Sequence, residues 1–302
     1  MKRTWCLRGG VAGLLLFLAL ASCKKSSGPS INPITPLQSL LNTDTSMAWF
    51  HRLLLVANQT ALLADDSVTL LIPSNDAFRA AGYVIDSIGS AVATRLVRYH
   101  FINGRVLPES NTYISYSTLL GYNIYGMRDS TARVLFNGTA VTGDTLQVGK
   151  ALVYRLDAPL SAAADSLTQL LAQDTSLSFF AEALLRTGLD TTLEAGNYTL
   201  LAPDNSAFMT AGYDSLGAID SADINTLTQL AKNQVLAGNW FTNTLAGLST
   251  VTTLQGNTIT ISLAGTVLQF TGSGNPVPAN LLNGNRPSGN NIVLHRIDQV
   301  LR

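Results

Sequence analysis

A segment of 15 residues occurs twice in this chain, and this repetition constrains the fold more than any other feature. Residues 69–83 read TLLIPSNDAFRAAGY and residues 199–213 read TLLAPDNSAFMTAGY, so that ten of the fifteen positions are identical at an offset of 130. A period this long indicates two tandem domains, because solenoid repeats are about 20–50 residues long. We therefore predict domains over residues 37–160 and 161–302.

Each repeat begins with helical patterns and ends with strand patterns. Met47, Phe50 and Leu54 follow one another at helical spacing behind a predicted N-cap at Asp44 or Ser46. Short apolar runs closed by proline, and later runs punctuated by glycine, predict strands. Helices first and antiparallel strands afterwards predict the α+β class.

Three further expectations concern local structure. The pairs Asn75-Asp76 and Asn205-Ser206 are predicted to cap a short helix in each repeat. Residues 272–291, rich in Gly, Asn and Pro, are predicted to form a long loop, either a flexible insertion or a binding loop. Trp240, beside Phe241, is predicted to lie in the core.

Spacing also predicts two ion pairs. Arg155 with Asp157, and Arg296 with Asp298, lie two positions apart on predicted strands, so the members of each pair share a face. Such a pair at the surface contributes less than ~1 kcal/mol.

Three motifs in these repeats resemble those of the fasciclin (FAS1) family. They are a T-L-L-x-P-x-N-x-A-F motif, a Tyr-His pair and a closing N-I-V-L-H-R-I-D-Q-V-L strand. The motifs lie at 69–78 and 199–208, at Tyr99-His100, and at 291–301. The resemblance covers nearly all of residues 37–302 and implies a wedge-shaped β-sandwich in each repeat, with helices packed along one edge.

The family's Tyr-His pair is the one candidate binding site that the resemblance offers. It implies a surface-binding role for Tyr99 and His100, as in animal members of the family. The alternative is that Tyr99 packs in the core and His100 makes a structural hydrogen bond. The second repeat departs from the family here, with Asn233-Gln234 in place of the pair.

The N-terminus resembles the export signal of bacterial lipoproteins. The apolar run at 11–20 is too short for a membrane span of ~20 residues. The sequence Leu-Ala-Ser-Cys at 20–23 resembles a lipobox, which implies lipidation of Cys23. We expect a signal peptide at 1–22 and a flexible tether at 23–36. Lys24, in place of the aspartate associated with inner-membrane retention, favours the outer membrane, and the sequence does not decide which leaflet holds the anchor. The alternative to lipidation is an ordinary secretory signal with an incidental cysteine at 23.

Charge and residue types exclude several function classes. Without Lys2, Arg3 and Arg8, the chain has 16 basic and 19 acidic residues, so it lacks the basic stripe that nucleic acids require. Its three histidines, at 51, 100 and 295, do not have metal-site spacing, and both cysteines precede residue 24. Neither a nucleophile elbow nor a phosphate loop is present. We expect no enzyme activity, no cofactor and no bound metal.

The resemblance to extracellular adhesion proteins implies a binding function. We expect a membrane-anchored, extracytoplasmic adhesion module that contacts matrix, glycan or protein partners. Two alternatives stay open: an accessory glycan-binding lipoprotein of an outer-membrane uptake system, and a structural envelope protein.

Overall fold

The structure, a computed structural model, describes residues 34–65, 67–289 and 291–302. The predicted signal peptide and Cys23 lie outside these residues. Thr35–Arg302 forms one compact unit. No helix in the described part of the chain is long and apolar enough to cross a membrane.

The first repeat places its helices around one mixed sheet and adds a second sheet. Its helices are α1 (Pro36–Thr43), α2 (Ala48–Val56), α3 (Asn75–Ala80) and α4 (Ser90–Tyr99). Its strands are β1 (Val68–Pro73), β2 (Phe101–Asn103), β3 (Ile114–Ser117), β4 (Asn123–Arg128), β5 (Val134–Phe136), β6 (Thr139–Ala140), β7 (Leu146–Val148) and β8 (Ala151–Leu156). The sheets have the orders β2-β1-β8-β7 and β3-β4-β5-β6.

The second repeat has the same plan with more helices. They are α5 (Leu167–Ala172), α6 (Ser178–Thr187), α7 (Leu189–Glu194), α8 (Asn205–Thr210), α9 (Leu216–Ser221), α10 (Ile224–Asn233) and α11 (Thr242–Leu245). The strands are β9 (Tyr198–Pro203), β10 (Val235–Ala237), β11 (Thr250–Thr252), β12 (Thr258–Ala264), β13 (Val267–Gly272), β14 (Ala279–Ser288) and β15 (Ile292–Ile297). They form one sheet in the order β10-β9-β15-β14-β13-β12-β11.

Alternating side chains divide each repeat into two cores. In β1, Leu70 and Ile72 face the helices, whereas Leu71 faces the second sheet. β8 divides in the same way, with Val153 toward the helices and Tyr154 toward the sheet. The prediction of two α+β repeats is confirmed: one core lies between helices and sheet, and the other lies between layers of strands.

The expectation of purely antiparallel strands is wrong at the centre of each repeat. β1 pairs with β8 in parallel, and β9 pairs with β15 in parallel. These strands are the first and last of their repeats. The long intervening chain makes the crossover that a parallel pair requires.

Two local predictions are also wrong. Half of residues 272–291 forms β14 rather than a loop, and register shifts between Leu281 and Arg286 accommodate its irregular composition. The caps of α3 and α8 are Ser74 and Asp204, one residue before the predicted positions. Asp44, predicted as a cap of α2, instead caps the 3-10 turn Thr45–Met47 that leads into it, where its side chain accepts a hydrogen bond from the amide of Ser46; α2 itself begins after Met47 without a side-chain cap.

Asn75 and Asn205 join two elements instead of capping one. The Asn75 side chain accepts a hydrogen bond from the amide of Trp49 and donates one to the carbonyl of Thr45. Asn205 makes the matching bonds to the amide of Phe179 and the carbonyl of Thr175. The repeated Pro-x-Asn motif therefore fixes α3 and α8 to the turn that begins the preceding helix.

Candidate binding surface

The structure buries both members of the candidate Tyr-His pair. Tyr99 and His100 are 0% exposed. The Tyr99 hydroxyl donates to the Asn123 carbonyl and accepts from the Asn137 amide group. A ligand therefore has no exposed atom of this pair to contact, and the binding role that the resemblance implied has no surface through which to act.

The His100 ring joins two backbone groups inside the core. Its Nδ1 lies 2.7 Å from the carbonyl oxygen of Leu96, and its Nε2 lies 3.1 Å from the amide nitrogen of Leu160. A neutral ring with the proton on Nδ1 donates to the first group and accepts from the second. Burial accordingly lowers the pKa of His100 to about 4.

Gln234 makes the equivalent bonds in the second repeat. Its Nε2 donates to the carbonyls of Leu230 and Leu301, and its Oε1 accepts from the amide of Leu301. Although the second repeat lacks the Tyr-His motif, Gln234 still links the end of α10 to the last residues of the repeat, as His100 does in the first repeat.

His295 is a second buried histidine of the same structural kind. Its Nε2 lies 2.8 Å from the carbonyl of Trp240, its Nδ1 lies 3.2 Å from the amide of Asn285, and burial lowers its pKa to about 4. Trp240, predicted to be core, is half-buried and packs against the core of this repeat.

The two predicted ion pairs are wrong, because each arginine reaches a different carboxylate. Arg155 pairs with Asp44 at 2.7 Å, and Arg296 pairs with Asp174 at 3.1 Å. Arg286 joins the second pair at 3.0 Å. Burial acts to raise the pKa of Asp174, but the hydrogen bond from Ser176 and the two arginine charges outweigh it and lower that pKa.

The two repeats contact each other through aromatic side chains. The Phe241 ring, 0% exposed, lies 4.7 Å from the Tyr113 ring and 5.8 Å from the Tyr125 ring. The Tyr113 hydroxyl donates to Asn243 at 2.6 Å. Burial raises the pKa of Tyr113. This contact joins the outer face of β3 and β4 to the residues around α11.

Close backbone approach extends this contact. Gly138 has a φ of +79°, and a Cβ built there would lie 2.6 Å from the side chain of Asn285 in the other repeat. Any other residue at 138 would strain the backbone and displace the Asn285 side chain, because both the backbone angle and the space favour glycine.

An apolar groove of about 400 Å³ lies on the second repeat. Its lining includes Leu171, Leu185 and Leu216, from α5, α6 and α9. Leu185 and Leu216 are 61% and 44% exposed. Single exposed apolar side chains are common, but apolar side chains that together line a concave surface are a feature of binding sites.

Carboxylates lie beside these leucines in the groove. Glu182 and Asp190 line it, and neither has an ion-pair partner among the described residues. An apolar floor flanked by free negative charge fits a segment with apolar and basic side chains. No cluster of three or more potential metal ligands occurs among the described residues.

The first repeat does not have this combination at the matching positions. Arg52 stands at the position of Glu182, 130 residues earlier, and contacts Asp86 at 3.7 Å. Leu55, which matches Leu185, is 51% exposed. Sequence analysis missed the groove; its signal was the change from arginine to glutamate between otherwise similar repeats.

Comparisons with known proteins agree with this repeat structure. The sequence model of the fasciclin domain family matches residues 46–162 and 175–302. The transforming growth factor-beta-induced protein ig-h3 of Sus scrofa is 28% identical over 177 residues, which are 56% of this chain. The chain spans 26% of the length of that relative.

The chain is also similar to a solved structure. It is the FAS1 domain pair from the insect cell adhesion molecule Fasciclin I, with 15% sequence identity and a TM-score of 0.42. The match covers 85% of this chain and 97% of that one.

Proposed function

This chain belongs to the fasciclin domain family, and from that membership we propose that it is an adhesion module that works by binding rather than by catalysis. Fasciclin domains occur in cell adhesion proteins. We place the module outside the cytoplasm, anchored to the outer membrane by a lipid on Cys23. Two or more acyl chains attach a protein stably to a membrane, whereas one chain attaches it only marginally.

The groove of the second repeat is the observation that carries the proposal. A basic, amphipathic segment of a partner protein would place apolar side chains against Leu185 and Leu216 and its basic side chains beside Glu182 and Asp190. The second repeat, over 161–302, has five basic and ten acidic residues, so its overall charge also attracts such a segment.

The groove is tested with a synthetic helical peptide that has leucine on one face and lysine on the other. We expect the chain with Cys23→Ala, which lacks the lipid, to bind this peptide with an affinity that falls as salt is raised. Leu185→Lys removes apolar contact and adds repulsion, so it should weaken binding at least about tenfold.

Leu55→Lys is the matched control, because it makes the same change at the equivalent exposed position of the first repeat. Equal loss of affinity in the two variants, or no loss in either, contradicts the groove as the contact surface. Calorimetric titration supplies the affinities, and circular dichroism checks that both variants are folded.

Anchorage is tested separately on intact cells. We expect protease to reach the wild-type chain at the cell surface, and Cys23→Ala to release the chain into the medium. Retention of the Cys23→Ala chain in the membrane fraction contradicts the lipid anchor. Protection of the wild-type chain until the outer membrane is broken contradicts adhesion to an external partner.

A further inference from the structure

A long stretch of the second repeat contains no charged side chain. Residues 233–285 have no Asp, Glu, Lys, Arg or His, although a stretch of this length would contain about seven charged residues at the whole-chain frequency of 13%. This stretch includes β11, β12 and β13, which lie side by side in the sheet. The strands therefore present an uncharged surface on whichever face is open to solvent.

Most of the solvent-facing side of these strands consists of rows of hydroxyl and amide side chains, and the apolar pair Ala264–Val267 lies at its far end. Residues opposite each other on antiparallel strands point to the same face, and residues two apart on one strand share it. Ile259 and Ile261 face the core, so the alternating residues of β12 face outward. The rows are Thr252–Thr258, Thr250–Thr260–Thr271 and Ser262–Gln269–Asn280.

These hydroxyls are free to bind an external molecule. Five of them are exposed, at Thr250, Thr252, Thr258, Thr260 and Ser262. Within the described residues, none of the five makes a side-chain hydrogen bond to another protein group. Sheet geometry spaces them at about 4.8 Å across strands and about 6.8 Å along a strand.

β-Propensity explains threonine here but does not explain the missing charge. Threonine is favoured in strands because its branched side chain packs well on the pleated surface. Exposed strands of soluble proteins normally include charged residues such as lysine, which oppose edge-to-edge aggregation. The three strands give up that protection, which indicates that the face is used. One carboxylate, that of Asp298, lies at the end of the last row, where it accepts a hydrogen bond from the Asn280 side chain.

The matching face of the first repeat is already covered. There Tyr113, just before β3, and Tyr125 of β4 contact the second repeat. The open face of β11–β13 has no tyrosine, tryptophan or arginine, which are the side chains that dominate protein–protein contacts. A protein partner is therefore poorly matched to this face.

We propose that the outer face of β11, β12 and β13 binds an extended, uncharged polysaccharide. Threonine and serine hydroxyls both donate and accept hydrogen bonds, as sugar hydroxyls do. A neutral polymer brings no charge that would need a partner on this face. A repeating polymer also matches a surface whose hydroxyls repeat at regular spacing. This site is separate from the groove bounded by Leu185 and Leu216.

Retention on insoluble polysaccharides tests the proposal. The chain with Cys23→Ala is mixed with microcrystalline cellulose, chitin or an insoluble β-1,3-glucan, and the bound fraction is measured. We expect retention on at least one, unchanged within about twofold between 0.1 and 1 M NaCl, because no charge contributes. Thr258→Val with Thr260→Val should weaken retention at least about fivefold, because hydroxyls are removed while shape and strand preference are kept.

Thr139→Val with Thr266→Val is the matched control, because it removes two hydroxyls that lie outside the rows. No retention on any of the three polymers overturns the proposal, as does equal retention of the two double variants. Retention that salt abolishes also overturns it. Leu185→Lys should leave retention on the polysaccharide unchanged. The experiment therefore distinguishes a wrong proposal for the groove from a wrong proposal for this face.

Discussion

At the scale of single residues, two buried histidines couple folding to pH. His100 and His295 are neutral in the folded chain, and burial lowers the pKa of each to about 4 from an ordinary 6.5. Below pH 6.5 the unfolded chain binds protons on these rings while the folded chain does not. Their contribution to stability is therefore complete above pH 6.5 and is lost as the pH falls toward 4, by about 3 kcal/mol for each histidine.

Replacing His100 with glutamine should remove its share of this pH dependence. Gln234 shows that an amide makes the same two kinds of backbone bond at this position, so we expect His100→Gln to fold normally at pH 7. Between pH 7 and 4.5 the wild type should lose about 2 kcal/mol more than the variant. Urea unfolding at the two pH values measures this difference, and parallel losses would contradict it.

At the scale of elements, Asp174 joins three parts of the second repeat. It caps the turn before α6, and its second carboxylate oxygen pairs with Arg286 of β14 and Arg296 of β15. The three side chains are 15–29% exposed, so water screens them little. Asp44 pairs with Arg155 alone, which is 33% exposed.

Asp174→Asn should therefore destabilise the chain more than Asp44→Asn. Asparagine can still accept the capping hydrogen bond from the amide two residues on, so each change mainly removes a charge. We expect a loss of about 3 kcal/mol at Asp174, where two arginines remain unpaired, and about 1 kcal/mol at Asp44. Equal losses, measured by urea unfolding at pH 7, would show that the second arginine adds nothing.

The elements also show what the sequence could and could not predict. Periodicity and the repeated motif predicted a helix through Phe50 and Leu54 and strands at 68–72 and 198–202, which the structure places at 48–56, 68–73 and 198–203, because local spacing determines their buried faces. They failed at β14, whose Gly, Asn and Pro content resembles a loop and whose strand form depends on its neighbours β13 and β15. The ion-pair partner of Arg155, Asp44, could also not be predicted from local spacing, because the two residues are 111 positions apart in the sequence.

The candidate surfaces depended on tertiary structure even more strongly. Leu185 and the outer face of β12 are exposed because no neighbouring element of the described structure covers them. Local sequence patterns cannot predict this, since it depends on how distant elements pack. The motif residues Tyr99 and His100, which a resemblance identifies most easily, are the buried ones. What the sequence did contain was the difference between repeats, with arginine at 52 and glutamate at 182.

At the scale of the whole molecule, Phe241 couples the two repeats. Its ring is fully buried against Tyr113 and Tyr125 of the first repeat. Truncating a buried phenylalanine costs about 3–5 kcal/mol, and here much of that loss falls on the contact between repeats. We expect Phe241→Ala to separate one cooperative unfolding transition into two, because the repeats then unfold independently.

Phe208→Ala is the control for this prediction. Phe208 is also fully buried, but its contacts lie within the core of the second repeat. That change should lower the stability of the repeat while the contact at Phe241 still couples the two. Differential scanning calorimetry distinguishes the cases, since the ratio of calorimetric to van't Hoff enthalpy should rise above one for Phe241→Ala and stay nearer one for Phe208→Ala. A single transition in both variants would mean that the remaining contacts, such as Gly138 against Asn285, are sufficient to couple the repeats.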